Sequence, residues 1–366
     1  MKKTVFLGAV AMTLLAASCS QESDQPTRND AITFGVTTNL ASRAANAYCN
    51  TNLPGDFKFS AFFADGSAYI SDATASKGEG SGYTATGYFW PENALNFVAW
   101  KNGNMTINEA GERQFVGFSP AANANEMLDL LYAVKNGVSR TQVRLNFRHA
   151  LSQIVFKAQN NATDVFDIEV SQVKVGHLTT TGTYTFPTES TDDENYTEHP
   201  ETSGTINPAT LGAWALDENT AGKGLYTTTE LATPLKLTGE PGFITPVKHT
   251  GGVDYTMMLL PQTADAWDPT VKAENFNGAY FMLYVTIKDV KHDGKLIYEG
   301  WTVVPATIAW KQGYRYTYTF IFDNNGHGGY TPTPDDPKPI LAGIQMNLTV
   351  DDYIDGDNTN TPMGTK

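Results

Sequence analysis

Cysteine is almost missing from this chain: 366 residues contain only Cys19 and Cys49. A disulfide framework is therefore excluded, and the fold must rest on buried cores. Positive charge is scarce as well, with 25 Lys and Arg against 39 Asp and Glu, a net charge of −14. Losing Lys2 and Lys3 with the first 18 residues would leave 25 − 2 = 23 basic groups against 39 acidic ones, or −16. A surface so acidic repels phosphate backbones, so no nucleic-acid partner is expected. Beyond residue 17 no run approaches the ~18 apolar residues that a membrane-spanning helix needs. No GxSxG elbow, HExxH pair or P-loop occurs, so the common hydrolase and nucleotide-binding chemistries have no sequence support. What is abundant is Gly (32), Phe (19) and Tyr (17), on a globular background of 41% hydrophobic residues. Many turns and many aromatics favour β-structure.

The first twenty residues, MKKTVFLGAVAMTLLAASCS, carry a basic start at Lys2 and Lys3. An apolar stretch from Val5 to Ala17 follows, then the small residues Ala16-Ala17-Ser18 before Cys19. This is the pattern of an export signal with a lipid-accepting cysteine, which predicts lipidation of Cys19 and an outer-membrane anchor. An ordinary cleaved leader, with Cys19 incidental, is the alternative. Lipidation leaves Cys49 without an intrachain partner, as an inert structural cysteine.

Past a polar tether (19–30), alternation of period two dominates. Ile32, Phe34 and Val36 alternate with Thr33, Gly35 and Thr37. Phe57, Phe59, Ala61 and Phe63 follow the same rule, then Leu95, Phe97 and Ala99. Residues 74–87 read as a Gly/Ser-rich loop, and Asn136-Gly137 as a turn closing a first domain, 31–138. A second domain, 141–322, opens with Val143, Leu145 and Phe147. Only 148–159 could be helical, and its Ile154, Phe156 and Ala158 favour strand. Residues 190–204 form an acidic loop, and Asp293-Gly294 reads as a hairpin turn. Residues 323–339, rich in Gly and Pro, read as an extended linker. Beyond it Ile344, Met346, Leu348 and Val350 alternate with polar residues in a last strand (340–356), before a polar tail (357–366). One amphipathic strand cannot bury its apolar side alone. It must fold back or enter another molecule's sheet.

Other chemistry is weakly supported. Gly80-Ser81-Gly82-Tyr83-Thr84-Ala85 matches a dinucleotide pattern but lies in a loop. His199 near Glu198 and Glu201 reads as solvated, and Asp351, Asp352, Asp355 and Asp357 miss calcium-loop spacing. No metal or cofactor is expected. Trp90, Trp100, Trp214, Trp267, Trp301 and Trp310 could include a sugar-stacking platform, although core roles are the commoner reading. Paired carboxylates for glycoside hydrolysis have no positive signal.

In order and spacing, the lipid-accepting Cys19, ITFGVTTN followed by Ser42-Arg43-Ala44, YFWPENALNFVAW (88–100) and DLLYAV form one series. It continues with VRLNFRHALSQIVFKA (143–158), Leu259-Leu260-Pro261-Gln262, WKQGYRYTYTF (310–320) and IQMNLTVDDYIDG. This series resembles the fimbrillin family of Bacteroides-type bacteria. The resemblance implies an all-β chain of two tandem transthyretin-like β-sandwich domains, without enzymatic activity. It implies a cell-surface fimbrium subunit that polymerises with other fimbrial subunits and supports adhesion to host or bacterial surface ligands. It further implies cleavage between Arg43 and Ala44 that removes strand 31–40, with a neighbour's Ile344, Met346, Leu348 and Val350 entering the gap. Arg28 is a second candidate cut, but it would spare the strand. The alternatives are that Arg43 is an ordinary loop residue and the last strand packs on its own domain, and that the chain is a monomeric surface lipoprotein binding glycans.

Overall fold

The computed structural model describes residues 31–38, 53–78, 82–191, 208–218, 224–228, 230–244, 256–323, 329–340 and 344–352. The leader, Cys19, Arg28, Arg43, Ala44, Cys49, His199 and the tail from 353 lie outside the described residues, as does most of the acidic insert. Among the described residues there are twenty-three strands and one short 3-10 turn, Pro208–Thr210. The fold is all-β.

The first nine strands are β1 (Ala31–Thr38), β2 (Asp56–Phe62), β3 (Ala68–Lys77), β4 (Gly82–Phe89), β5 (Leu95–Lys101), β6 (Met105–Ile107), β7 (Arg113–Phe118), β8 (Leu131–Val138) and β9 (Val143–His149). Seven of them close on themselves in the order β1-β4-β3-β2-β5-β8-β9. The inward residues are those the alternation marks: Ile32, Phe34, Phe57, Phe59, Ala61, Leu95, Phe97, Ala99, Val143, Leu145 and Phe147. Phe62, on the opposite face of β2, is buried too, in a second core outside the barrel.

Three expectations are corrected here. Most of 74–87 is hairpin rather than loop, because Ala73, Ala75, Tyr83 and Ala85 supply small and aromatic inward faces. Gly82 onward therefore lies in a barrel strand, which removes the setting a dinucleotide loop requires. Asn136-Gly137 is not the turn: Gly137 (φ +70°) forms a bulge in β8, where one extra residue faces Leu95 and Phe97 of β5. The reversal comes at 139–142, with Arg140 at φ +43°. Finally β9, expected to open the second domain, completes the barrel by pairing with both β8 and β1.

The remaining strands are β10 (Ser152–Asn160), β11 (Phe166–Leu178), β12 (Gly182–Thr185), β13 (Ala213–Leu216), β14 (Gly224–Thr227), β15 (Leu235–Lys236), β16 (Gly242–Phe243), β17 (Met257–Leu259), β18 (Thr263–Ala264), β19 (Tyr280–Asp289), β20 (Lys295–Pro305), β21 (Ile308–Ala309), β22 (Tyr314–Phe322) and β23 (Ile344–Asp352). One sheet runs β16-β10-β22-β23, with β17 also on β10; another runs β14-β11-β19-β20, with β15 on β11. Their facing sides meet through aromatic rings. Phe281 of β19 lies 5.5 Å from Phe156 of β10 and 4.6 Å from Tyr318 of β22. Asp293 and Gly294, both at positive φ, turn β19 into β20. That is the geometry an Asp-Gly pair favours.

The two halves share structure. Strands β6 and β7 pair through β7 with β12, making a sheet β13-β12-β7-β6 that joins early and late sequence. Phe62, Trp100 and Tyr132 from barrel strands enter the same core as Phe156 and Phe281. The supposed linker also differs. Tyr330 exchanges two backbone hydrogen bonds with Val303 of β20, each 2.8 Å, and its ring lies 5.6 Å from Trp267. Ile340 is buried and donates its N–H to Gly329 O. Segment 329–340 is thus a strap docked on a sheet edge, because Tyr330 and Ile340 give it apolar anchors that composition alone does not reveal.

Candidate functional site

Strand β1 is a closing stave. It runs antiparallel to β4, with Phe34 opposite Tyr83 and Gly35 opposite Gly82, and parallel to β9, from Phe34–Val143 to Thr38–Phe147. Ile32 and Phe34 are fully buried and Val36 nearly so. The Phe34 ring packs edge-on against Phe57, Phe59 and Phe97 at 5.4, 4.9 and 5.9 Å. Three such side chains contribute about 5–9 kcal/mol of burial before ordering costs.

The strands on either side of β1 make few other strand pairings. Beyond β1, β4 pairs with β3 only at Ser76–Thr84 and Lys77–Tyr83. Strand β9 pairs with β8 only at Leu131–His149 and Tyr132–Arg148. Without β1 these two strands would frame a slot floored by Phe57, Phe59 and Phe97.

At the other end of the chain, Ile344, Met346, Leu348 and Val350 lie in β23, which is folded back on its own sheet. It pairs antiparallel with β22 over nine residues, from Tyr314–Asp352 to Phe322–Ile344. Its other side has no strand partner among the described residues. Met346, Leu348 and Val350 are only half-buried, against the larger core. The two terminal strands share one alternating pattern and differ in enclosure: β1 is flanked on both sides, β23 on one. The Tyr83 position facing β1 was missed in sequence because the Gly/Ser run around it obscured the Ala73/Ala75 and Tyr83/Ala85 alternation.

Polar groups between barrel and sandwich are structural in their geometry. Gln312 Nε2 donates to Tyr132 Oη at 2.8 Å and to Tyr184 Oη at 3.1 Å, while Tyr132 Oη donates to Thr210 O. Burial pushes the Tyr132 hydroxyl up to about 12, and it raises Tyr184 as well. At the start of β8 the buried His149 Nδ1 meets Asp129 at 2.8 Å. Among the described residues no three His, Cys, Asp or Glu side chains gather as metal ligands.

The tryptophans do not make a platform. Trp90, Trp100, Trp267 and Trp310 are buried. Trp214 is half-buried and donates to Ala150 O. Trp301 is half-buried, with Lys174 Nζ 3.9 Å above its ring and Tyr284 against its edge. A sugar face would have to displace that lysine.

A family described as fimbrillin-like matches residues 27–333. No curated protein matches the chain. Among solved structures, a fimbrial protein from Bacteroides vulgatus is similar at 13% identity and a TM-score of 0.51, covering 88% of this chain and 99% of that one. A candidate cell adhesion protein from Bacteroides uniformis is similar at 14% identity and a TM-score of 0.44, covering 88% and 99%. With its family pattern extending from before β1 to the strap, this chain belongs to the fimbrillin-like family.

Proposed function

We propose that the protein is a structural subunit of cell-surface fimbriae, exported as a precursor with lipid on Cys19 and polymerised by strand exchange. Cleavage between Arg43 and Ala44 disconnects β1 from the rest of the chain. Residues 344–350 of a neighbouring copy then take its place between β4 and β9. The barrel and the sandwich stand for the two transthyretin-like units, with their boundary near residue 150, between β9 and β10.

The observation that carries this reading is that β1 alone joins β4 to β9, at the N-terminal end of the fold. Replacement is energetically reasonable. An incoming strand forms main-chain hydrogen bonds and fills alternate side-chain pockets. Four donor side chains offer about 6–12 kcal/mol of burial where β1's three offer about 5–9. Cleavage makes the exchange intermolecular by freeing β1 to leave.

Arg43→Ala tests it. Cells expressing the variant are expected to hold uncut precursor, seen as a larger band on immunoblot, and to lack fibres by electron microscopy. Fibres of normal number and length would rule out Arg43 as the licensing cut.

A further inference from the structure

The weak contact between β8 and β9 is not an accident of fraying. Leu130–Ala150 and Tyr132–Arg148 set an antiparallel ladder in which Val134 would next face Asn146. The Ala150 N–H bonds Leu130 O at 2.8 Å, so pairs of this parity are the hydrogen-bonded ones. Val134 and Asn146 do not bond to each other. Thr191 stands between them, fully buried.

Three of the backbone groups left open at that point, Val134 N, Val134 O and Asn146 O, are met by Thr191. Its N–H donates to Val134 O at 2.8 Å, and its hydroxyl accepts from Val134 N at 3.2 Å. The hydroxyl also lies 2.6 Å from Asn146 O as donor. Its carbonyl accepts from Asn146 Nδ2 at 3.1 Å and from Arg148 Nε and Nη2 at 3.2 and 3.0 Å. The neighbouring residues extend the insertion. Ser190 Oγ accepts from Asn136 N at 3.0 Å, and Thr188 O from Asn136 Nδ2 at 2.8 Å. Residues 188–191, which come from the sandwich half of the chain, wedge the barrel between β8 and β9.

This matters because β1 runs along residues 143–147 of β9, while on the opposite side Thr191 bonds Asn146. With β1 seated, the ladder holds β9. With β1 gone, β9 retains two pairs to β8 and the bonds to Thr191. We infer that Thr191 is a positioning residue for strand exchange, holding β9 as a formed wall of the slot when β1 is absent so that an incoming strand finds an ordered edge. The inference rests on the strand-exchange reading and deepens it. A docking edge that must first be ordered binds more weakly, since the ordering cost comes out of the affinity.

The test compares wild type with Thr191→Val and Thr191→Ser in the full chain, cut at a selective protease site introduced at residues 41–44. Working at an introduced site makes the result independent of Arg43. Two quantities are read: exchange of the Arg148 amide, whose ladder with Tyr132 reports the seating of β9, and uptake of a labelled peptide of residues 344–352. Before cutting, all three proteins are expected to exchange Arg148 at similar rates. After β1 is displaced, Thr191→Val is expected to exchange about tenfold faster and bind the peptide about tenfold more weakly, the effect of losing one or two buried hydrogen bonds. Thr191→Ser, which keeps the hydroxyl, should match wild type. Equal Arg148 exchange in Thr191→Val and wild type after cutting would overturn the wedge role. A purely structural Thr191 would speed exchange before cutting too, and that result would overturn it as well. Failure of the wild type to take up peptide would overturn strand exchange, while the Arg148 rates still decide the wedge. If Thr191→Val does not fold, Ser190→Ala gives the same comparison at roughly threefold, and no change there would count against the proposal.

Discussion

The Tyr132 hydroxyl lies where barrel and sandwich meet, bonded to Gln312 and Thr210 and removed from water. Burial disfavours its charged form, so its pKa stands at about 12, above the ordinary 10. A group whose folded pKa is raised contributes stability that is complete below the unfolded pKa. That contribution fades as pH climbs through the folded value. Unfolding free energy should therefore fall between about pH 10 and 12, by roughly 2–3 kcal/mol from this group. Urea midpoints taken from pH 9 to 12 measure the slope. Tyr132→Phe should flatten it without abolishing it, because Tyr184 titrates in the same direction. Residues of this kind show how far sequence can be read. Phe34, Phe59 and Leu145 declare their inward direction by alternation, since period two is local. Thr191 declares nothing: its partners Arg148, Asn146 and Val134 lie 43, 45 and 57 residues away, and a threonine before an acidic run looks like any solvated loop.

Among elements, the strap alters what the last strand can do. Read as an extended linker, 323–339 would give β23 a reach of roughly 60 Å at about 3.5 Å per residue. With Tyr330 bonded to Val303 and Ile340 buried, only residues 341–343 separate the docked strap from β23. Three residues span at most roughly 10 Å. Moving the start of β23 farther than that from Ile340 requires the strap to lift. Tyr330→Ala removes the ring against Trp267, at an expected cost of about 1–3 kcal/mol to strap docking. The Val303 amide, which donates to Tyr330 O, should then exchange faster. Val304, which carries no bond to the strap in the bridge, serves as the reference. Unchanged Val303 exchange would mean that the backbone bridge holds without the ring. The strand content of this region was legible from YRYTYTFIF and the alternation in 344–350. The docking was not, because Gly and Pro obscure two apolar anchors, Tyr330 and Ile340, that lie too far apart to form a local pattern.

Among the described residues there are two large cores and a small third one around Trp267 and Val303, and the sheet β13-β12-β7-β6 ties the halves together. A division of the chain between 138 and 141 was expected from the change in pattern, but β9, which lies beyond it, pairs with β1 and β8 in the barrel. Barrel closure depends on pairings distant in sequence, which alternation cannot assign. On the proposed reading each subunit is bivalent, accepting at the β1 slot and donating with β23. A chain ending at residue 340 would accept and not donate. Mixed as a minor fraction with full-length chain, it should shorten fibres in proportion to its share, measured as a length distribution by electron microscopy. Lengths that ignore the truncated fraction would locate the donor outside 344–350.

Exposed strand borders invite pairing with any passing extended peptide. The ring formed by β1, β4, β3, β2, β5, β8 and β9 has no such border where β1 is seated. While β1 is seated, amyloid-like stacking therefore finds no purchase on the barrel, and the unpaired side of β23 is left as a border where another chain could add.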